Sequence, residues 1–335
     1  MEAVQLGRSG LRVSPLCLGT MTFGNETGLD EARTIADRAL DEGVFFWDTA
    51  DMYSLGGSEE MVGTLMQGRR EQIVLATKCW AAMGPGANDR GLSARHMIAA
   101  CEASLRRLKT DWIDLYYLHI PDKLTPIDES LRAMEDLIRS GKVRYAACSN
   151  YRAWEVQDMV RRSEARGWQP VSAVQPLYNL VNRDIEVEML PMCEANGLGV
   201  VTYSPLARGI LTGKYSASTA DGEENRLSRA NPRFLQAEWR PESVEAADKL
   251  VALARERGCS SVELATAWAM ANTLVTSVIA GPRTLSHFEG YLRAARIEWD
   301  AELEAACDAI VPVGSHTGRS WPDQDFYPIT GRKIG

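Results

Sequence analysis

Eight short apolar runs, separated by amphipathic segments, leave few folds open to this chain. The runs are Leu16–Gly19, Val44–Asp48, Ile73–Lys78, Trp112–His119, Val143–Ser149, Val171–Gln175, Leu198–Tyr203 and Val275–Ala280. Each is short, apolar and bounded by turn residues, as strands buried on both faces are. Between them the helical period predicts Asp30–Glu42, with Asp30 as an acidic N-cap and Gly43 as its stop. It also predicts Ser93–Leu108, Ile127–Arg139, Trp154–Ala165 and Ile185–Asn196. Strands alternating with helices require parallel pairing through right-handed crossovers. The stretch from Leu16 to Ala280 covers about 260 residues, which suits a closed (β/α)8 TIM barrel better than an open doubly wound sheet. One barrel domain over residues 1–335 is the expectation.

Three segments stand outside the repeat. Ala3–Val13, centred on Gly7-Arg8-Ser9-Gly10, reads as a β-hairpin that plugs the N-terminal end of the barrel. Ala207–Arg240 is long, polar and rich in Gly, Ser and Asn, and a loop of that size in a compact domain usually carries function. The tail Val311–Gly335 carries Trp321, Phe326 and Tyr327, placed either on a substrate wall or against a second copy of the chain.

Composition excludes several classes of function. Net charge is −8, from 37 basic and 45 acidic residues, which argues against non-specific nucleic-acid binding. No apolar run reaches the roughly 18 residues that span a bilayer. Met1–Gly10 lacks the basic start and apolar stretch of a signal peptide. Seven cysteines without Cys-x-x-Cys spacing suggest neither a zinc site nor a disulfide framework, and four histidines make a His-rich metal site improbable. A reducing cytoplasm is the expected home, with no metal, no nucleic acid and no membrane as partner.

In such a barrel, chemistry sits where strands end and βα loops begin. The second, third and fourth runs end at Asp48, Lys78 and His119, and Tyr53 follows Asp48 on the next loop. Each alone has a bland reading: a loop-capping Asp, a snorkelling Lys, a packing Tyr, a satisfied His. On adjacent strand ends they form a coherent acid. A tyrosine titrates near ~10, and a buried lysine beside it favours the phenolate and should lower that value. Asp48 would hold Lys78, and His119 would orient an incoming carbonyl. Such a site protonates an alkoxide while hydride arrives from elsewhere.

The segments "FFWDTADMYSLGGSEEMVG", "IVLATK", "WIDLYYLHIPD", "CSNY", "VQPLYN" and "YSPLARGILTGKY" resemble the aldo-keto reductase family, in its order and over nearly the whole chain. The likeness includes the branch of potassium-channel β-subunits. The resemblance implies a tetrad of Asp48, Tyr53, Lys78 and His119 with Tyr53 as general acid. It implies NADPH bound extended, which accounts for the lack of a Gly-x-Gly-x-x-Gly motif after the first strand. It assigns Thr20, Met21, Asp48, Ser149, Asn150 and Gln175 to the nicotinamide end, with Tyr203 stacked on the ring. Ser204, Leu206, Gly209 and Lys214 fall to the pyrophosphate. Gly281, Arg283 and His287 fall to the adenosine 2′-phosphate, with NADH bound more weakly. The chain departs from the family pattern at His287, where Gln or Arg is usual. Gly290 and Tyr291 replace an acidic residue and an Asn.

Beside Tyr53 and His119, Trp80 and Tyr151 are expected on the substrate wall, with Met52 and Trp321 as further apolar candidates. Asp122, Arg183 and Arg208 could instead address a polar substrate. Trp80, two residues beyond Lys78, shares its side of the strand, whereas Cys79 faces away. The expected reaction is reduction of an aldehyde or ketone. Two alternatives are a slow cofactor-sensing regulatory subunit and a Schiff-base lyase built on Lys78.

Overall fold

Each apolar run pairs in parallel with its sequence neighbour, and the last closes on the first. This is the topology in the computed structural model, which describes residues 1–215 and 238–318. The chain forms two compact units. The first comprises Met1–Pro176, Met192–Tyr203 and Leu274–Glu289; the second comprises Leu177–Pro191, Ser204–Thr273 and the chain from Gly290 onward.

The first unit holds the barrel. Strands β1 (Val4–Gln5) and β2 (Arg12–Val13) form the antiparallel hairpin, with Val4 opposite Val13. Leu6 and Val13 pack among Cys17, Phe46, Ala76, Leu115, Tyr117, Ala147, Ala173, Val201 and Ile279, so the hairpin seals the interior. Gly7 is required there, because a Cβ would lie 2.4 Å from the Gly197 carbonyl oxygen.

The barrel strands are β3 (Leu16–Gly19), β4 (Phe46–Asp48), β5 (Val74–Cys79), β6 (Ile113–Leu118), β7 (Val143–Ser149), β8 (Ala173–Gln175), β9 (Gly199–Thr202) and β10 (Ser277–Ala280). Several are shorter than their apolar runs. Val44 shows why: it is buried, but its N–H closes the preceding helix on the Ala39 carbonyl instead of joining a ladder.

Helices α1 (Leu29–Asp41), α2 (Gly57–Leu65), α3 (Ala94–Leu108), α4 (Ile127–Arg139) and α5 (Ala153–Ala165) fill the crossovers. Asp30 is not the N-cap of α1. Gly28 holds that position, and Asp30 lies in the first turn, where its charge still favours the helix dipole. Ser93 does cap α3, accepting the His96 N–H at 3.3 Å. The expected helix Ile185–Asn196 is broken into a 3₁₀ turn, Asp184–Glu186, and α6 (Met189–Asn196). Pro191, which has no N–H, fits only in the first turn of α6.

The second unit contains α7 (Pro241–Glu256), α8 (Ser261–Ala271) and α10 (Ala301–Ile310), while α9 spans Leu285–Ala294. Ser260 and Glu263 form a capping box on α8. Most of the expected long loop, including Arg226, and the tail aromatics Trp321, Phe326 and Tyr327 lie outside the described residues. No described helix is long and apolar enough to cross a membrane.

Candidate active site

The site is built at the C-terminal ends of β4, β5 and β6. Asp48 ends β4, Lys78 lies one residue before the end of β5, and His119 follows β6. Tyr53 opens a 3₁₀ turn after β4 that passes through left-handed backbone at Ser54 and Leu55. Asp48 and Lys78 are almost completely buried, and His119 is buried at 9% exposure.

Lys78 binds three partners. Its ammonium donates to Asp48 Oδ1, to the Thr49 carbonyl at 2.7 Å and to the Tyr53 hydroxyl at 3.3 Å. Gln175 Nε2 donates to the other Asp48 oxygen at 2.8 Å. The Tyr53 and His119 rings meet edge-on with centroids 6.2 Å apart. Asn150 Nδ2 donates to the His119 carbonyl at 3.0 Å, which ties the end of β7 to that of β6.

The electrostatics correct one expectation. Lys78 does pull the Tyr53 phenol toward ionisation, but burial outweighs it, and Asp48 adds to the burial effect. Tyr53 therefore titrates above an ordinary phenol. Burial opposes the Lys78 charge, yet Asp48 and Tyr53 hold it above the usual lysine value. A lysine so held is a poor amine nucleophile, which counts against Schiff-base chemistry.

The residues expected at the nicotinamide end cluster in the first unit. Ser149 Oγ donates to the Gln175 carbonyl at 2.7 Å, and Asn150 Nδ2 also reaches Ser149 Oγ at 2.9 Å. Tyr203 donates to Asn150 Oδ1 at 2.8 Å, fixing its half-buried ring. Thr20 is buried and donates to the Asp48 carbonyl at 3.0 Å, whereas Met21 is 55% exposed. Ser58, which the sequence did not single out, joins Thr20 and Thr49 through its hydroxyl.

Beyond β10, Gly281 has open space where a Cβ would stand. Arg283 forms an ion pair with Glu26 at 2.8 Å, and the Leu285 N–H near the start of α9 donates to Glu31 at 2.6 Å. His287 is exposed. One carboxylate, Glu26, thus occupies a group that the resemblance gives to a phosphate, and a second, Glu31, takes an N–H at the start of the adjoining helix. Neither acid was singled out from sequence, because only the fold brings residues 26 and 31 to 283 and 285.

In the second unit, Ser204, Ala207, Arg208, Gly209 and Gly213 all have positive φ, so backbone N–H groups turn in a tight run. Ser204 Oγ donates to Glu238 at 3.0 Å. Leu206 receives the Gly209 N–H at 2.8 Å, and Lys214 Nζ lies 2.9 Å from where a Gly209 Cβ would be.

The substrate candidates divide by burial. Met52 is exposed, Trp80 is half-buried beneath the Arg90 guanidinium at 5.8 Å, and Tyr151 is 5% exposed. The three polar candidates are committed to structure. Asp122 accepts from Leu92, Leu124 and Thr125. Arg183 binds Glu186, Asp308 and the Val311 carbonyl, and Arg208 pairs with Glu238 at 2.7 Å. Burial drives the Cys79 thiol far up, so it is inert.

Known proteins resemble this chain over most of its length. The Aldo/keto reductase family model matches residues 15–312, through both units. An uncharacterized oxidoreductase of Bacillus subtilis, YrpG, is 40% identical over 93% of this chain and 96% of its own. A probable voltage-gated potassium channel subunit beta of rice is 38% identical over 84% of this chain and 87% of its own. Versiconal hemiacetal acetate reductase of Aspergillus parasiticus is 32% identical over 95% and 99%. With a closed eight-stranded barrel and a match over most of its length, this chain belongs to the aldo/keto reductase family, a family of oxidoreductases that use a nicotinamide cofactor.

Proposed function

We propose that this chain reduces an aldehyde or ketone to an alcohol with NADPH, and that Tyr53 is the general acid. The observation that carries the proposal is the contact of Tyr53 with a buried, Asp48-paired Lys78, edge-on to His119. Burial keeps the phenol protonated at neutral pH, so a proton is always in place. Lys78 stabilises the phenolate left after the proton moves to the carbonyl oxygen. Asp48 keeps Lys78 charged and fixed, and His119 orients the carbonyl.

The residues present suit a nicotinamide cofactor, which when bound supplies hydride. Asn150 and Gln175 offer amide donors and acceptors at neighbouring strand ends, and Tyr203 offers a ring held in one orientation by Asn150. Thr20, Met21, Asp48 and Ser149 complete the proposed nicotinamide set. Ser204, Leu206, Gly209 and Lys214 are proposed for the pyrophosphate, on the resemblance and on the left-handed backbone run. Gly281, Arg283 and His287 are proposed for the 2′-phosphate. Because Arg283 is shared with Glu26, the preference for NADPH over NADH should be modest. Trp80 and Tyr151 are proposed, with Tyr53 and His119, to face substrate. One domain spanning 1–335 is part of the reading, since the family match runs through both units. So is action in a reducing cytoplasm, which suits seven free thiols.

The likeness to a channel β-subunit supports a second reading, a slow enzyme that senses its cofactor. Oxidation of NADPH, followed at the nicotinamide absorbance against a panel of aldehydes and ketones, separates the two. Steady turnover that Tyr53→Phe abolishes supports the reductase. Tight NADPH binding without turnover on any carbonyl supports the sensor.

A further inference from the structure

Asp51 is a fully buried acid that the reaction leaves unused. No side chain among the described residues hydrogen-bonds either of its carboxyl oxygens, and the backbone N–H of Met52 is the donor that bears on them. A carboxyl in such a place avoids the cost of a bare charge by keeping its proton.

Its surroundings favour the neutral form. On α2, Glu59 is equally buried and already holds the Arg107 cation. It accepts the Thr77 hydroxyl at 2.6 Å and the Arg107 guanidinium at 2.7 and 2.6 Å. The Arg107 guanidinium of α3 is thus committed to Glu59 and acts on Asp51 only through its charge. From β5, Lys78 is committed to Asp48, and Cys79 is a neutral thiol; from β6, Tyr116 is a neutral phenol. Burial first, and Glu59 second, push Asp51 up to about 7, against the Met52 N–H, Arg107 and Lys78.

The two acids bracket Tyr53. The Asp51 N–H donates to the Lys78 carbonyl at 3.2 Å, and the Tyr53 N–H to the Ala50 carbonyl at 3.2 Å. Past Tyr53 the backbone is left-handed at Ser54, Leu55 and Gly56. Arg107 Cδ sits 2.8 Å from where a Gly56 Cβ would be, so the side chain that holds Glu59 also bears on this turn.

We propose that Asp51 is a positioning residue: neutral beside Glu59, it keeps the Tyr53-bearing segment against β5, and its ionisation loosens that segment and slows reduction. This rests on the reading of Tyr53 as general acid. A second like charge at the base of the segment pushes against Glu59, and the left-handed turn that follows carries Leu55, which is 81% exposed. A donor misplaced by an ångström costs on the order of a hundredfold, so a partial loosening should cost about tenfold.

The test is the pH dependence of single-turnover reduction with saturating NADPH, in wild type, Asp51→Asn and Glu59→Gln. Wild-type rate should fall as pH rises through about 7. Asp51→Asn should remove that fall. Glu59→Gln should move it to lower pH, because Arg107 is then left to Asp51 alone. A fall that survives unchanged in Asp51→Asn, or a wild type without one, overturns the proposal. A carboxyl-carbon NMR titration of the unaltered protein covers the case of a variant that does not fold. Asp51 titrating near 7 supports the proposal, and titration in the ordinary carboxylate range refutes it whatever Tyr53 does. Full activity in Tyr53→Phe would refute the general acid instead.

Discussion

The Lys78 ammonium lies 3.3 Å from the Tyr53 hydroxyl and 4.8 Å from the centre of the same ring. On the proposed reading, one cation thus faces both the proton to be given and the ring that keeps the charge afterwards. Tyr53→Phe removes the proton and preserves the shape. It should lower kcat by on the order of 10²–10⁴-fold while NADPH still binds. A variant that retained more than about a tenth of wild-type kcat on a ketone would exclude Tyr53 as the donor.

Lys78→Met should be as damaging as Tyr53→Phe, and it should raise the Tyr53 phenol further by removing the cation that opposes burial. Asp48→Asn should be milder, since it loosens Lys78 without deleting it. Breaking a buried pair can cost ~3–5 kcal/mol, so circular dichroism must first show both variants folded. An aspartate variant less active than the lysine variant would reverse the two roles.

On the alkaline side, Tyr53 keeps its proton because burial holds it above the ordinary phenol value. If Tyr53 is the proposed acid, loss of that proton should stop reduction only at pH values above about 10. In Asp51→Asn, where the nearer inflection is removed, the pH–rate profile should stay flat until then. An inflection near neutrality in that variant would assign the limiting titration to another group.

Asp51 should also depress folding stability. Its carboxyl is pushed up to about 7 in the folded chain, against about 4 when unfolded. Between those values the unfolded chain releases a proton that the folded one keeps. Stability therefore falls as pH rises across the window and levels off above it. Asp51→Asn carries no such proton, so its stability advantage should grow across the same window, toward on the order of 4 kcal/mol. Denaturant midpoints taken over that range check this; a difference that does not change with pH contradicts it.

On the proposed reading, cofactor choice should turn on the Arg283–Glu26 pair, which is more than a third exposed on both sides and is therefore easily opened. Glu26→Gln should raise affinity for NADPH several-fold and leave NADH unchanged, because only NADPH places a phosphate against that carboxylate. Arg283→Ala should lose about tenfold or more of the NADPH preference. Dissociation constants from fluorescence quenching decide between these outcomes. Equal effects of Glu26→Gln on the two cofactors would remove Glu26 from the site.

Periodicity alone determined the barrel, since eight apolar runs separated by helical patterns have few other ways to be buried. The clustering of the proposed tetrad was legible for the same reason: a residue at the end of a barrel strand has its place fixed by the fold, so Asp48, Lys78 and His119 can be found by counting strands. Helix α2 was not legible, because its Gly-Ser start follows directly on the Tyr53 turn with no linker to mark it. Neither was the net effect on Tyr53, where burial and Lys78 oppose each other and only the packed interior sets which wins. Glu26 beside Arg283, and Glu59 holding Arg107 while Asp51 is buried without an ion pair of its own among the described residues, depend on where separate βα segments meet. A sequence lists charges along one line. Their energies depend on distances and burial across several, and those only the tertiary structure decides.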